Sequence, residues 1–258
     1  MTDTTAAPPV PTVNRITKAD INDALRAGLA DFQKAPIYGL FFGAVFSIGG
    51  ILIAWALFQG EAKVWIFPVA AGFPLIGPFA AVGLYEVSRR LEAGEPLSWG
   101  PILAAGFRQK NSQLPFFMVF AVFAFLVWIV LARVIFAVSF GTATMTNVFS
   151  SIDLFFTFEG IVMLVIGTIV GAALATLLFA ISVVAVPMLM DRDIDMVTAM
   201  ITSFKAAAEN REAMGFWAVI LVVAIVIAML PLFLGMVLVF PALGHASWHV
   251  YRKAVSAE

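Results

Sequence analysis

The sequence contains one arrangement three times: an amphipathic stretch that leads directly into a long apolar run. The amphipathic stretches lie near residues 20–34, 98–112 and 195–210. They begin at residues that can cap a helix, namely Asp20, Ser98 and Asp195. At equal distances from these residues, each stretch places two apolar side chains, then a small one and another apolar one. Because an internal period of this kind is typical of folds built from repeated units, we expect three pseudo-repeats, each an interfacial amphipathic helix followed by a transmembrane hairpin.

The composition supports a membrane protein and excludes several kinds of site. Apolar residues make up 62% of the 258, and charged residues make up 12% and cluster between the apolar runs. Soluble domains are closer to half apolar, so a polytopic, all-α membrane protein is expected. The formal net charge of -1 argues against general nucleic-acid binding. The chain has no cysteine, which excludes disulfide bonds and thiolate metal sites.

Apolar runs of about 20 residues can cross a bilayer as helices. Four such runs lie near residues 36–58, 64–87, 115–139 and 159–189. A fifth apolar region, 214–243, is ambiguous, since a single helix of that length would measure roughly 45 Å against a core of roughly 30 Å. The alternative is two helices, near 214–230 and 232–251, that turn at Pro231 because proline breaks a helix. The repeat favours the second reading, and hence six spans over five.

The positive charges give an independent prediction of orientation. Lys and Arg cluster within residues 1–35, 88–114 and 191–213 and in the C-terminal tail. Six spans place all of these clusters on one side, which the positive-inside rule identifies as cytoplasmic. Both termini are then cytoplasmic, whereas five spans would place the basic tail outside. We expect residues 1–14 to form a flexible tail and residues 15–258 to form a single membrane domain.

Two sets of ionisable residues are candidate ion pairs. Arg133 lies inside an apolar span near its predicted outer end, and Glu159 opens the next span on the same side. We expect them to form an anchoring ion pair, although a buried charge can also serve conduction or proton relay. Glu86 precedes Arg89 and Arg90 by three and four residues, a spacing that allows pairing on one helical face.

Two histidines, His245 and His249, are four residues apart and share a face if the segment is helical. Such a pair can bind zinc or haem. The sequence holds no further histidine to complete a site, and the neighbouring Trp248 and Tyr251 are typical of an interfacial aromatic belt. We therefore expect structural anchoring, no metal, no cofactor and no catalytic residue, with haem or metal binding as the alternative.

Small residues recur every fourth position in two spans, a pattern typical of close helix packing in membranes. They are Gly39, Gly43 and Ser47 in the first span and Gly167, Gly171 and Ala175 in the fourth. The pattern does not distinguish contacts within the chain from contacts with a partner. Prolines also interrupt the later spans, and broken helices can build transporter sites.

Four segments carry a family resemblance: residues 35–43, 70–78, 83–90 and 244–252. They resemble a bacterial integral-membrane family catalogued as domain of unknown function 2189. The resemblance implies a location in the bacterial inner membrane. Some family members are labelled putative cytochrome c oxidase proteins, but this chain lacks the histidines that an oxidase core needs for haem and copper.

The sequence therefore favours a non-enzymatic scaffold, accessory or assembly subunit. The family resemblance adds an association with a respiratory complex through a membrane-protein partner. No phosphate-binding glycine loop, nucleophile elbow or zinc-protease motif occurs in the sequence. The alternative is a transporter of small solutes or lipids, which the repeats and the proline-interrupted spans would suit.

Overall fold

The computed structural model describes residues 11–59, 66–72, 76–105, 113–141 and 155–256. Over these residues the chain is helical, and a β-bridge joins Val13 to Val255. The helices are α1 (Lys18–Lys34), α2 (Pro36–Gln59), α3 (Ile66–Gly72), α4 (Gly77–Ala80), α5 (Val82–Ala93), α6 (Trp99–Leu103), α7 (Leu114–Phe140), α8 (Phe158–Ser182), α9 (Ala185–Asp191), α10 (Met196–Glu209), α11 (Arg211–Met229) and α12 (Met236–Ala254).

Within this part of the chain, four segments are long and apolar enough to cross a membrane. They are Pro36–Ala56, Leu114–Phe140, Phe158–Asp191 and Arg211–Met229. These segments correspond to the predicted first, third, fourth and fifth spans. Less than a third of each segment is buried in the isolated chain, as expected for helices whose neighbours are lipids.

The predicted second span, residues 64–87, is not one continuous helix. The described part of this region forms three short helices, α3, α4 and α5, and residues 64, 65 and 73–75 lie outside the described residues. Pro78 lies in the first turn of α4, where proline is tolerated, and α4 ends after one turn. Within the described residues, the predicted continuous span is interrupted at Ala81, between α4 and α5.

Residues 211–254 form two helices rather than one, as the two-helix alternative predicted. Between α11 and α12 the chain turns at Leu232 and Phe233, which adopt φ values of 51° and 65°. Gly235 closes the turn, since a Cβ at this position would lie 2.7 Å from the Cα of Ala228. α12 is not among the four segments of membrane-spanning composition.

The first residues of α1, α6 and α10 correct the capping residues that were predicted for the repeat. Asp195 caps α10 by accepting a hydrogen bond from the backbone N–H of Thr198 at 2.9 Å. α1 is instead capped by Thr17, and Asp20 is the third helical residue of a capping box. Ser98 precedes α6 but makes no capping hydrogen bond through its side chain. The predicted helix over 98–112 is described only as far as residue 105.

Several helices end together at one end of the molecule. We call this the polar end, and it consists of α1, α5, α9, α10 and residues 244–254 of α12. α2 runs antiparallel to α12 from this end, because Gly43 lies against Val237 while Ser47, further along α2, donates to the carbonyl of Phe233 at 2.8 Å.

The hairpin of α7 and α8 also starts and finishes at the polar end. The backbone N–H of Met196 in α10 donates to the side chain of Gln113, at the start of α7, at 3.2 Å. Ser203 of α10 donates to the carbonyl of Ala180, near the end of α8, at 2.8 Å. α7 and α8 therefore run in opposite directions away from and back to α10.

The N-terminal segment is held against the C-terminal residues at this end. The backbone N–H of Asn14 donates to Ala254 at 2.9 Å, and that of Ser256 donates to Thr12 at 3.1 Å. The side chain of Asn210 accepts from the backbone N–H of Ile16 at 2.9 Å. Residues 12–14, predicted to belong to a flexible tail, are thus part of the folded domain.

Candidate functional site

The second half of α12 is the centre of the polar end. The side chains of His245, Trp248 and Tyr251 are almost completely buried between α1, α5 and α9. Burying polar atoms is costly unless they are hydrogen-bonded, so their partners define the site. We call the side chains bonded around this half of α12 the α12 cluster. Its members are Asp20, Asp31, Ser88, Glu92, Asp191, His245, Trp248, His249, Tyr251, Arg252 and Lys253.

The two histidines bind different helices. His245 Nδ1 lies 2.8 Å from Ser88 Oγ of α5, and His249 Nε2 lies 2.7 Å from Asp31 Oδ2 of α1. The Ser88 hydroxyl also helps to lower the pKa of the Asp31 carboxyl. His245 Nε2 is buried without a hydrogen-bond partner among the described residues. The predicted histidine pair is therefore a link that holds α1, α5 and α12 together.

Asp31 is held in its charged form by these contacts. Burial alone raises the pKa of its carboxyl, but the hydrogen bonds from His249 and Ser88 outweigh burial and bring the pKa below the usual 3.8. A buried carboxylate that is stabilised in this way fixes the position of α1 against the rest of the polar end.

The arrangement of Ser88, the two histidines and Asp31 differs from that of a Ser–His–Asp catalytic triad. A nucleophilic triad places the imidazole between the carboxylate and the serine. Here His245 contacts Ser88 while a different imidazole, that of His249, contacts Asp31, and the side chain of Ser88 is fully buried. Nor do the described residues contain a group of three His, Asp or Glu side chains that could hold a metal ion. The arrangement can orient helices, and it differs from the Ser–His–Asp order of a triad.

The outer part of the α12 cluster consists of ion pairs and aromatic hydrogen bonds. Trp248 Nε1 donates to Glu92 at 3.0 Å, and the Tyr251 hydroxyl donates to Asp191 at 2.6 Å. Arg252 contacts both of these carboxylates, at 3.1 and 3.3 Å. α5 and α9 are thereby joined to the same turns of α12.

The structure brings Glu86, Arg89 and Arg90 together, as their spacing predicted. Glu86 accepts from Arg89 Nε at 2.8 Å and from Arg90 Nε at 2.7 Å. Both arginines also contact Glu95, and Arg90 donates to the carbonyl of Pro96 at 3.0 Å. This ion-pair network closes the C-terminal end of α5.

The predicted pair of Arg133 and Glu159 is not formed. Arg133 is exposed on α7, Glu159 lies in the first turn of α8, and no ion pair joins these two described residues. Residues 142–154, which connect the two helices, lie outside the described residues.

The two stripes of small residues behave differently. Gly39 and Gly43 lie against Phe32, Val237 and Pro241, so the first stripe packs within the chain on α1 and α12. In the second stripe, Gly171 lies against Trp128 of α7, whereas a Cβ on Gly167 would meet no atom within 4 Å. Ala175 is exposed.

The sequence did not predict most of the carboxylates of the α12 cluster, namely Asp31, Glu92 and Asp191. Asp31 carried a usable signal, because it follows Ile21, Ala24 and Gly28 on the apolar face of α1. A carboxylate on a buried face needs a partner, which here is His249.

Comparison with known proteins identifies part of this architecture. No curated protein and no solved structure matches the chain. A family model described as "Predicted integral membrane protein (DUF2189)" matches residues 66–191. The matched range runs from α3 to α9 and includes Ser88, Glu92 and Asp191 but neither α1 nor α12. The resemblance inferred from sequence is confirmed over residues 66–191, which match the DUF2189 model of predicted integral membrane proteins.

Proposed function

We propose that the protein is a non-enzymatic scaffold, accessory or assembly subunit of the bacterial inner membrane. The observation that carries this proposal is the mutual pairing within the α12 cluster. Its carboxylates are bonded to His249, Trp248, Tyr251, Arg252 and Lys253, so the cluster stabilises a fixed arrangement of helices. A rigid polar end that presents apolar helices suits a protein that holds other membrane proteins in place.

The proposed topology has six crossings and cytoplasmic termini. Support comes from the pairing of Asn14 with Ala254, because residues on the same side of a membrane are separated by an even number of crossings. In this topology the broken segment α3–α5 is the second crossing and α12 is the sixth. The basic residues of the polar end favour the cytoplasmic side.

The element order also supports three pseudo-repeats. α1, α6 and α10 each precede a long apolar helix, namely α2, α7 and α11. After each long helix the chain returns to the polar end, where it forms α5, α9 or the second half of α12. This is the order expected of one unit, a helix plus a hairpin, present three times.

The partner surface in this proposal is the outer face of α7 and α8. These helices contact one another and α10, and they leave apolar side chains such as Phe123, Val138 and Ile169 exposed. A respiratory complex related to cytochrome c oxidase is the first partner to test, because the resembling family includes proteins with that label.

The test is affinity purification of the full-length protein from its native membrane in mild detergent, with identification of all bound proteins. We expect one defined partner in constant ratio to the protein, and an untagged strain serves as the control. Repeated recovery of the protein alone, from membranes that contain intact respiratory complexes, would contradict the proposal.

A transporter is the second candidate, and the break in α3–α5 is the observation that favours it. The carbonyl of Pro68 in α3 accepts a hydrogen bond from Trp128 Nε1 of α7 at 2.8 Å, so the divided segment lies against an apolar helix. Reconstituted vesicles would decide between the two. Flux of solutes or of labelled lipids above that of empty vesicles would favour transport, and flux equal to that of empty vesicles would remove this candidate.

A further inference from the structure

One helix at the polar end has an apolar face that no other described helix covers. α10 buries Ala199, Thr202, Ser203 and Ala206. On its other side, Val197, Ile201 and Phe204 are 58%, 63% and 51% exposed. These three residues follow one another at intervals of four and three, so they form a single stripe along the helix. We call it the α10 stripe.

α1 shows the opposite arrangement, although both helices were expected to play the same role. α1 buries its apolar face against α12, and its exposed side carries Lys18, Asn22, Asp23 and Arg26, with Leu29 as its one exposed large apolar residue. A helix that faces water on its outer side has such a polar surface. The α10 stripe has no charged residue within it.

The surroundings of α10 indicate what covers the stripe. α10 crosses the end of α8, where Ser203 donates to the carbonyl of Ala180 and accepts from the backbone N–H of Val184. α8 belongs to a segment of membrane-spanning composition, and its Leu177, about one turn before Ala180, is also exposed. The α10 stripe therefore begins where an apolar, lipid-facing surface ends.

Charge on the flank of the stripe is consistent with a lipid boundary. Lys205 follows Phe204 directly, is exposed, and lies 3.9 Å from Glu209 one turn later. A lysine at this position can cover apolar surface with its stem and keep its ammonium group among lipid headgroups. Amphipathic helices lie in the interface in this way, with the apolar side in the acyl boundary.

We propose that α10, and not α1, is the helix that lies in the membrane interface, with the α10 stripe buried in the acyl region of the bilayer. The same amphipathic pattern then has two uses in this chain. α1 packs across α12 inside the protein, whereas α10 attaches the end of α8 to the lipid surface.

The absence of native cysteine allows a direct test with single-cysteine variants of the full-length protein in lipid nanodiscs. A spin label on Ile201→Cys measures how often the label collides with oxygen and with a water-soluble nickel chelate. Oxygen concentrates in the acyl region of the bilayer, whereas the chelate stays in water. Val130→Cys on the exposed face of α7 is the lipid reference, and Asn22→Cys on the outer face of α1 is the water reference. Val197→Cys repeats the measurement if Ile201→Cys does not fold.

We expect the ratio of oxygen to nickel accessibility at Ile201 to match that at Val130 and to exceed that at Asn22 severalfold. A ratio like that at Asn22 would overturn the proposal, because the stripe would then face water. Low accessibility to both reagents would also overturn it, because protein would then cover the stripe. The purified chain is sufficient for this experiment, so its outcome is independent of whether a scaffolding partner is found.

Discussion

At Gly28 the backbones of α1 and α12 cross without room for a side chain. A Cβ at this position would lie 2.4 Å from the backbone N and 2.7 Å from the Cα of Ala246. Both atoms belong to a buried helix and cannot rotate away as the end of a flexible side chain could. The contact is therefore a single-residue requirement for Asp31 of α1 to reach His249 of α12.

We predict that Gly28→Ala separates α1 from α12 and lowers the free energy of unfolding by roughly 1–3 kcal/mol, the usual cost of overpacking. The measurement is the apparent unfolding temperature in detergent. Gly49→Ala is the matched control, because a Cβ there meets no atom within 4 Å and alanine is the better helix former. Equal unfolding temperatures for the two variants would contradict the prediction.

The carboxylate of Asp31 gives a second prediction at this scale. Asp31→Asn removes the charge that accepts the hydrogen bond from His249, and we expect a loss of roughly 1–3 kcal/mol at neutral pH, as for other buried groups left without a full partner. Chemical unfolding in detergent, compared with the native protein, measures this difference.

The same pair has a defined pH dependence. Because the pKa of Asp31 is lower in the folded state than its usual 3.8, the carboxylate contributes stability above that pH. This contribution is lost as the pH falls below 3.8 through the folded-state pKa. The difference between the native protein and Asp31→Asn should therefore shrink below this pH. A difference that stays constant down to pH 2 would show that Asp31 is not the titrating group.

Among the elements, α10 and α6 offer a paired test of helix capping. Asp195 accepts a hydrogen bond from Thr198 in α10, whereas Ser98 makes no side-chain capping bond in α6. We predict that Asp195→Ala lowers the free energy of unfolding by about 1 kcal/mol and that Ser98→Ala has a smaller effect. Unfolding temperatures in the same detergent measure the two substitutions. A larger loss for Ser98→Ala than for Asp195→Ala would contradict the assignment of Asp195 as the capping residue.

The long elements could be predicted from sequence because their signals are local. Apolar runs locate α2, α7, α8 and α11, and Pro231 locates the turn before α12. The start of α1 was placed at Asp20 instead of Thr17, since either residue can supply a capping oxygen and only the backbone geometry shows which one does. The division of α3–α5 was not located, because a membrane helix can continue past a proline and the prolines alone do not show where it ends.

The site was less predictable than the helices, because periodicity shows which face of a helix is buried but not what covers it. Glu86 and its arginines lie within one helix, so their spacing was sufficient. His249 and Asp31 are 218 residues apart, and nothing in their spacing indicates that they meet. Arg133 and Glu159 show the opposite case. The sequence placed both residues at the same depth in the membrane, yet the structure does not bring them into contact.

The whole molecule gives a prediction about sidedness. Asn22 lies on α1 at the polar end, and Gln59 is the last residue of α2, which leads away from that end. In intact cells, a membrane-impermeant maleimide should label Gln59→Cys and should reach Asn22→Cys only after permeabilisation. The cysteine-free native chain is the control. The reverse labelling pattern would contradict the proposed cytoplasmic location of the polar end.

The pairing of α1 with α12 also sets an order of events during biosynthesis. The ribosome makes α1 first, yet the surface that covers Gly28 and Asp31 emerges only after more than two hundred further residues, as the separation of 218 between Asp31 and His249 shows. Until then the nascent chain holds an amphipathic helix without its protein partner, next to hydrophobic segments that are already entering the bilayer. The burial of α1 is therefore completed only once α12 has been made, and a chain interrupted before α12 keeps Gly28 and Asp31 without the surface that covers them.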